Sequence, residues 1–347
     1  MSIPMRSAFV LLGLVVSGSL VLGQQDAPSA RPASHRIHLD VVVTPKSGVP
    51  VAGLQKQDFT ILDNKAVQPI TSFEARTVQS GSVEVVVVVD AVNTDFSNMS
   101  YEREQIDKFL RADSGRLPYP TSLAIFTDAG TQVQQESTRD GNQLSAALDQ
   151  STIGLRDINR RAGFWGADER LGLSLDGLRK LAARESTRPG RKIILWVSPG
   201  WPYLSGPQEE LDNGQRQRLF ADVTLLSTQL RLADITLYSV DPLGSGQNVG
   251  MEYGYEQFLK GVAKPDQVEV GNLALQVLAI QSGGLAVNAG NDIAGHLQQC
   301  IADLEAYYEI SFVAPPAERP NEYHQIEIKV DKRGLTARTR TGYYAEP

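Results

Sequence analysis

The sequence lacks the residues and motifs on which many small enzymes and metal proteins are built. It has 347 residues and a single cysteine, Cys300, so no disulfide bond can form within the chain. Its four histidines are scattered, and neither H-E-x-x-H nor C-x-x-C spacing occurs. A G-x-S-x-G nucleophile elbow and a P-loop are also missing. The fold must therefore be stabilised by its apolar core, and no common catalytic motif marks the chain as an enzyme.

An excess of positive charge is absent as well. Lysine and arginine number 33 against 40 aspartates and glutamates, which gives a formal net charge of -7. Nucleic acid is therefore not an expected partner, and no run of like charges forms an interaction tail. Hydrophobic residues make up 41% of the chain and charged residues 21%, which is typical of a globular protein with a core.

The N-terminus carries the pattern of a secretory signal peptide. Arg6 precedes the apolar run 8–22, and V-L-G at 21–23 offers small residues for cleavage. A membrane span requires about 20 apolar residues, so this run is short for one. We expect residues 1–23 to direct the chain to the periplasm or the exterior of a bacterial cell; an uncleaved anchor is the alternative. Residues 24–34 are polar and proline-rich and are predicted to be a linker.

Two segments with alternating apolar residues flank the centre of the chain. Residues 35–79 begin with alternation at Ile37, Leu39 and Val41, and residues 307–344 end with a predicted hairpin over 325–341. A few strands with one apolar face are not stable alone. We therefore expect the two segments to pack together as a small β-sandwich.

Residues 83–306 alternate between strand and helix patterns. The run Val85–Val89 is hydrophobic on both faces, which is typical of a central parallel strand. Further strands are predicted over 122–127, 191–198 and 235–242, with amphipathic helices between them. Asn291 is predicted to cap a last helix, and Cys300 lies on its apolar side. The predicted fold class is α/β: a doubly wound, mostly parallel, Rossmann-like sheet inserted in the β-sandwich.

The first strand and its turn resemble those of a von Willebrand factor A-type (VWA) domain. The similar stretches are V-V-V-V-V-D-A-V-N-T at 85–94 and R-K-I-I-L-W-V-S-P-G at 191–200. Residues 49–64 and the closing T-G-Y-Y at 341–344 are similar to the VWA-related proteins of Acidobacteria. The resemblance runs from about residue 37 to the end. It implies an open α/β sheet that binds ligands at the carboxyl ends of its strands.

VWA domains hold Mg²⁺ at a metal-ion-dependent adhesion site. Its ligands are a D-x-S-x-S turn, a threonine of a second loop and an aspartate after the fourth strand. By this resemblance Asp90 and Thr94 match the turn, but Val92 replaces its first serine. Ser198-Pro199-Gly200 replaces the T-D-G of the family, and the loop near 168–173 offers no clear threonine match. Mg²⁺ requires about six oxygen ligands, so we expect a degenerate site with no bound metal and no other cofactor.

Two roles remain open for Asp90. Its carboxylate could accept hydrogen bonds from the backbone of the turn and from Asn93 or Thr94, and so fix the strand-to-helix connection. Alternatively Asp90, Asn93, Thr94 and Asp95, with Ser198 opposite, form a polar rim that recognises a partner directly.

Two tryptophans are candidate contact residues. Trp201 follows the fourth strand, and Trp165 lies in a predicted loop, 154–168, that should reach the same edge of the sheet. Tryptophan is enriched among the residues that anchor protein interfaces. The alternative is that these rings cover the top of the core in place of the lost metal site.

The expected function is an exported, non-enzymatic module that binds an unknown extracytoplasmic protein through loops 90–98, 154–168 and 198–208. One alternative is a hydrolase or nucleotide-binding protein that uses the Asp90 cleft or the glycine loop 244–250. The spacing of that loop, G-x-G-x-x-x-G, departs from the dinucleotide-binding fingerprint. The other alternative is a purely structural component of the cell envelope.

Overall fold

The computed structural model describes residues 36–46, 48–77, 82–151, 164–202, 211–242, 254–288 and 290–347, without the side chains of Phe96, Phe164 and Trp165. The strands of this part form one mostly parallel sheet and two antiparallel sheets. The predicted signal peptide, the predicted linker and the glycine loop 244–250 lie outside the described residues.

The described strands, in chain order, are β1 (Arg36–Pro45), β2 (Phe59–Asp63), β3 (Ala66–Gln68), β4 (Ser72–Thr77), β5 (Val83–Asp90), β6 (Arg116–Thr127), β7 (Gly130–Val133), β8 (Thr138–Asp140), β9 (Arg191–Val197), β10 (Ile235–Val240), β11 (Ala286–Val287), β12 (Ala306–Val313), β13 (Glu322–Val330), β14 (Leu335–Arg338) and β15 (Gly342–Ala345). The α-helices are α1 (Phe96–Leu110), α2 (Ala112–Gly115), α3 (Gly141–Gln150), α4 (Phe164–Glu185), α5 (Asn213–Leu232), α6 (Leu275–Gln281) and α7 (Ile293–Ala302).

The valine strand β5 lies at the centre of the mostly parallel sheet. The order is β11-β10-β9-β5-β6, with the antiparallel strands β7 and β8 both paired with β6. Val86 and Val88 contact the apolar cluster on one face, whereas Val85, Val87 and Val89 contact the cluster on the other. Because both faces of the sheet are covered, this strand carries apolar side chains throughout. The prediction of a central parallel strand is confirmed.

Helices cover both faces of this sheet. On one face the cluster includes Leu178 of α4, Leu226 of α5 and Leu278 of α6. The cluster on the other face includes residues of α1, α3 and α7, among them Ile106 and Leu297. The single cysteine, Cys300, is completely buried in this second cluster, as its apolar helix face predicts.

Both antiparallel sheets are built from the two ends of the described chain. Their orders are β14-β1-β12-β4 and β15-β13-β2-β3. In the first, β1 pairs with β12 from Arg36 opposite Val313 to Val41 opposite Tyr308. In the second, β2 pairs with β13. Apolar side chains of both sheets share one core cluster, which includes Leu39, Phe312, Ile61 and Ile326. The segments before and after the α/β region therefore fold together.

The predicted hairpin over 325–341 is wrong. β13 pairs with β2 and β15, whereas β14 pairs with β1 in the other sheet. Ile326 of β13 and Leu335 of β14 still face the same apolar core. The alternation correctly identified the apolar faces, but a period of two does not determine which strand is the partner.

Two helix starts also differ from the prediction. Helix α4 begins at Phe164, so the end of the predicted loop 154–168 is helical. Helix α7 is capped by Asp292, whose side chain accepts a hydrogen bond from the backbone N–H of Gly295, and not by Asn291. Adjacent residues with similar capping propensity are not distinguished by sequence alone. Among the residues that the structure describes, no helix is both long and apolar enough to cross a membrane.

Candidate functional site

Three parallel strands end side by side at the position that the sequence singled out. β5 ends at Asp90, β9 is followed by Ser198, and β10 is followed by Asp241. The carboxyl ends of parallel strands meet at one edge of the sheet. We name residues 90–95, 198–202 and 241–242 the carboxyl edge.

The carboxylate of Asp90 is fully engaged by donors of the protein. Its Oδ1 accepts hydrogen bonds from the backbone N–H groups of Val92, at 3.0 Å, and Asn93, at 2.9 Å. Its Oδ2 accepts from the Asn93 side-chain amide and from the indole N–H of Trp196, both at 2.9 Å. Asp90 is 0% exposed. The hydrogen bonds predicted from the turn backbone and from Asn93 are present, and Trp196 is a further partner that the sequence did not predict.

The same turn is tied to helix α4. The Asn93 side-chain amide donates to the hydroxyl of Ser174 at 2.9 Å, and that hydroxyl donates to the backbone carbonyl of Arg170 at 2.8 Å. Burial lowers the pKa of Arg170, and the negative charge of Asp90 partly offsets this effect. The first turn after β5 is therefore held by both the sheet and the helix that covers it.

Burial favours the protonated form of two acids at this edge. It raises the pKa of Asp90, against hydrogen bonds from Trp196, Asn93 and Ser198. Burial also raises the pKa of Glu102, on α1, well above its usual value, and the nearby carboxylates of Asp90 and Asp241 raise it further.

Glu102 was not among the residues predicted from the sequence, although a signal was present. Met99, Glu102, Ile106 and Phe109, which are buried together with Leu110, are spaced by three, four and three residues along α1. That spacing places the glutamate on the apolar face of the helix.

The donor set does not fit a Mg²⁺ site. Val92, at the position of the first family serine, is buried in the apolar cluster, and its side chain has no ligand atom. The Ser198 hydroxyl accepts a hydrogen bond from the backbone N–H of Gly200 at 3.2 Å. A cation at Asp90 would have to displace N–H donors that already satisfy both carboxylate oxygens, whereas Mg²⁺ requires freely available oxygens.

Trp201 covers the core and does not project from it. Its ring is 1% exposed and meets the ring of Trp196 edge-on, with 5.2 Å between the centroids. Trp196 in turn contacts Phe126 edge-on at 5.6 Å. Tilted aromatic pairs of this kind add to the stability of a core. Of the two roles predicted for this tryptophan, the structure favours the one in which it closes the top of the core.

The predicted contact residues differ in their exposure. Asp95 is exposed and Asn93 is half-buried, but the side chains of Asp90, Thr94, Ser198 and Trp201 are buried. These four do not present their side chains to a partner, so that part of the predicted rim is corrected. Trp165 lies in the first turn of α4, and its side chain is outside the described part of the structure. The buried Asp90 is also not placed as a base or nucleophile in an open cleft.

Comparisons with known proteins give neither a family nor a relative. No protein-family model matches the chain, and no curated protein matches it. Structural neighbours include VWA-containing adhesins.

Three solved structures illustrate the level of similarity. They are the pilus adhesin SpaC from Lactobacillus rhamnosus GG, a PilB minor pilin mutant from Streptococcus sanguinis and the manganese-loaded TRAP protein of Plasmodium vivax. Their TM-scores are 0.38, 0.35 and 0.32, with sequence identities of 9%, 13% and 8%. The matches cover 84%, 76% and 82% of this chain, and 48%, 79% and 100% of the neighbours. The chain thus spans about half the length of SpaC.

Proposed function

We propose that the chain is an exported, non-enzymatic binding module of the VWA type, related to the VWA-like proteins of Acidobacteria, that contacts a protein partner through its carboxyl edge without a metal ion. The observation that supports this proposal is the set of hydrogen bonds to the Asp90 carboxylate. Its two oxygens accept four hydrogen bonds from the protein itself. A metal-dependent adhesion site uses the corresponding acid to hold the ion that the partner's carboxylate completes. Here that acid holds the turn in shape instead.

The surface offered to a partner is formed by the outer residues of the carboxyl edge. Asp95 is exposed at the start of α1, and Asn93, Pro199 and Gly200 are half-buried. Gly200 has a φ of 108° and lies against the side chain of Gln276, so a side chain at this position would meet both strain and a clash. The backbone of this loop therefore lies against helix α6. The exposed carboxylate of Asp95 is a hydrogen-bond acceptor and suits a partner that supplies donors.

The β-sandwich formed by the terminal segments would act as a stalk or spacer. Its strands lie outside the parallel sheet, although Tyr344 of β15 packs in the same apolar cluster as Val92 and Trp201. With residues 1–23 as a signal peptide, the module would function in the periplasm or outside a bacterial cell.

A charge-reversal experiment tests the proposal. The full chain is coupled to beads and used to capture proteins from a cell-envelope extract, with and without EDTA. We expect the same partner to be captured in both conditions and to be lost with Asp95→Lys. The matched control is Glu327→Lys, which makes the same charge change on the exposed face of β13.

Two results would contradict the proposal. Loss of the partner in EDTA would show that the contact requires a metal ion. Equal capture by the wild type and Asp95→Lys, with loss in Glu327→Lys, would place the contact on the β-sandwich. Both variants are first checked by thermal unfolding, because Asp95 also stands at the N-cap of α1.

A further inference from the structure

A second polar site lies at the opposite edge of the parallel sheet. A cavity of about 470 Å³ opens between the first antiparallel sheet and the amino ends of β5, β9 and β10. Charged side chains and one histidine line it from both the antiparallel and the parallel sheet, among them Arg36, His38, Arg76, Arg191, Asp234 and Glu309. It is far larger than the space that a single ion requires, so an ion and its water ligands can enter.

Two of the lining side chains, His38 and Asp234, converge with the neighbouring Asp40 to the geometry of a metal site. His38, Asp40 and Asp234 can each place one ligand atom so that all three atoms lie within 4.8 Å of one another. His38 and Asp40 are two residues apart on β1, so their side chains project from the same face of the strand. Asp234 is in the turn before β10 and has a φ of 56°. The fold therefore joins two ligands on β1 to a third that follows them by 196 and 194 residues, without any sequence motif.

One ligand atom in this cluster lacks a hydrogen-bond partner. The Asp40 side chain is 9% exposed, and its Oδ2 lies 2.9 Å from Nε of Arg191. Its Oδ1 is buried, has no hydrogen bond, and lies 3.4 Å from Nε2 of His38. A buried carboxylate oxygen without a donor is costly. The His38 side chain is 41% exposed, so this group of ligands remains accessible to solvent.

The carboxylates of Asp40 and Asp234 are held close together in this cluster, with Arg191 and His38 beside Asp40. Two carboxylates held this close disfavour each other's charge. A divalent cation between them would remove that repulsion.

We propose that His38, Asp40 and Asp234 bind a divalent transition-metal ion, with Zn²⁺ as the best match. One imidazole and two carboxylates form a three-ligand set that Zn²⁺ accepts readily, with water in the fourth position. Mg²⁺ prefers an all-oxygen set with near-octahedral geometry and is the poorer fit. The ion would link β1 of the antiparallel sheet to the turn before β10 of the parallel sheet.

Arginines near the cavity limit the affinity of this site for a metal ion. Arg76 is paired with Glu74 and Glu309, so its charge is largely compensated. Arg191 is paired with Asp40 and stacks on the ring of Tyr307. Arg36 and Arg231, which line the cavity, and the buried Arg340, whose charge acts on Asp40 and Asp234, reduce the affinity of the site for a metal ion.

Calorimetric titration of the metal-free full chain with Zn²⁺ and with Mg²⁺ tests this site. We expect one equivalent of Zn²⁺ to bind and Mg²⁺ to bind much more weakly. Asp234→Asn should weaken Zn²⁺ binding by at least about tenfold. This change keeps the side-chain shape, and asparagine tolerates the positive φ at this position. His38→Gln should weaken binding by a similar factor.

The matched control is His296→Gln, which removes a histidine on α7, outside this cluster. The proposal is supported if Zn²⁺ affinity falls in His38→Gln and Asp234→Asn but not in His296→Gln. It is overturned if the wild type binds no Zn²⁺, or if the cluster variants bind it as the wild type does. Neither result bears on partner capture at the carboxyl edge, so the two proposals fail independently.

A spectroscopic measurement on the wild type alone avoids the question of whether the variants fold. Co²⁺ bound by one nitrogen and three oxygens in a four-coordinate site absorbs visible light more strongly than hexa-aqua Co²⁺. We expect this band to appear on addition of Co²⁺ and to disappear on displacement by Zn²⁺. A spectrum identical to that of Co²⁺ in buffer would contradict the proposal.

Discussion

The two edges of the parallel sheet treat their buried acids in opposite ways. At the carboxyl edge, Asp90 accepts four hydrogen bonds, and the rings of Trp196 and Trp201 close the core around it. At the amino edge, Asp40 keeps one oxygen without a hydrogen bond beside a cavity of about 470 Å³. The carboxyl edge, which resembles the metal site of a metal-binding family, is therefore the edge whose acid already has its hydrogen-bond partners.

A metal site can be lost in two ways, by removal of its ligands and by new side chains that take the place of the ion. Val92 brings a methyl-bearing side chain into the apolar cluster, and Trp196 supplies an N–H where a cation would supply charge. The turn therefore needs no ion to be stable. The cluster at the amino edge has an acid pair whose charge is compensated by Arg191, His38 and Arg340.

The largest expected effect is from removing the ring that closes the carboxyl edge. Trp201→Ala should lower the free energy of unfolding by about 3–5 kcal/mol, because it leaves a large cavity next to Trp196. Urea denaturation measures this change. Trp201→Phe, the control, keeps most of the apolar contact and should cost less. An unchanged midpoint for Trp201→Ala would show that the ring is not part of the core.

Removing the acid itself should have the next largest effect. Asp90→Ala leaves the backbone N–H groups of Val92 and Asn93 and the indole of Trp196 without their acceptor. Buried donors without acceptors cost about 1–3 kcal/mol, so we expect a loss of about 3 kcal/mol in urea denaturation. Asp90→Asn keeps one acceptor and should lose less. A variant as stable as the wild type would mean that the carboxylate does not hold the turn.

Restoring the family serine should not restore the metal site. Val92→Ser buries a hydroxyl among apolar side chains and should cost about 2 kcal/mol. Its Mg²⁺ titration should remain flat, because Asp90 stays occupied by N–H donors. Saturable binding of Mg²⁺ by this variant would show that one residue alone separates the chain from a metal-dependent site.

The smallest effect concerns pH at the amino edge. The pKa of Asp234 is about 6 in the folded chain, above its ordinary value of 3.8, so the folded state holds the proton more tightly. The contribution of this group to stability therefore increases as the pH falls from about 6 to about 4. The charged groups that act on it are Asp40, His38, Arg191 and Arg340.

Asp234→Asn isolates this contribution. The raised pKa of His38 also favours the folded state at low pH, and this part is lost as the pH rises above its pKa. The variant keeps the histidine, so the difference between wild type and variant reports on the aspartate. Thermal unfolding from pH 4 to pH 8 should show the wild type losing more stability than Asp234→Asn as the pH rises toward about 7. Parallel curves for the two proteins would contradict this assignment.

The sequence predicted the parallel sheet well because its signals are local. Val85–Val89 had no polar face, and the strands and helices after it followed clear periods. The role of Asp90 was also among the alternatives, since an aspartate followed by Asn93 is a common turn-forming pattern.

Features that depend on contacts between distant residues could not be predicted. The partner of β14 is β1, about 290 residues earlier, and no local pattern specifies that pairing. Trp201 was a candidate interface anchor in the sequence. Its burial depends on a contact with the ring of Trp196, which the sequence does not specify. In the sequence His38 is one of four scattered histidines, and its approach to Asp234 is visible only in the fold.

We infer that N–H donors of the protein occupy the position beside Asp90 that an ion would take. Calorimetric titration of the full chain with Mg²⁺, in parallel with Asp90→Asn, tests this most directly. We expect the two proteins to give the same Mg²⁺ titration, with no saturable binding that is lost when Asp90 is replaced. One equivalent of Mg²⁺ bound by the wild type and lost in Asp90→Asn would contradict it.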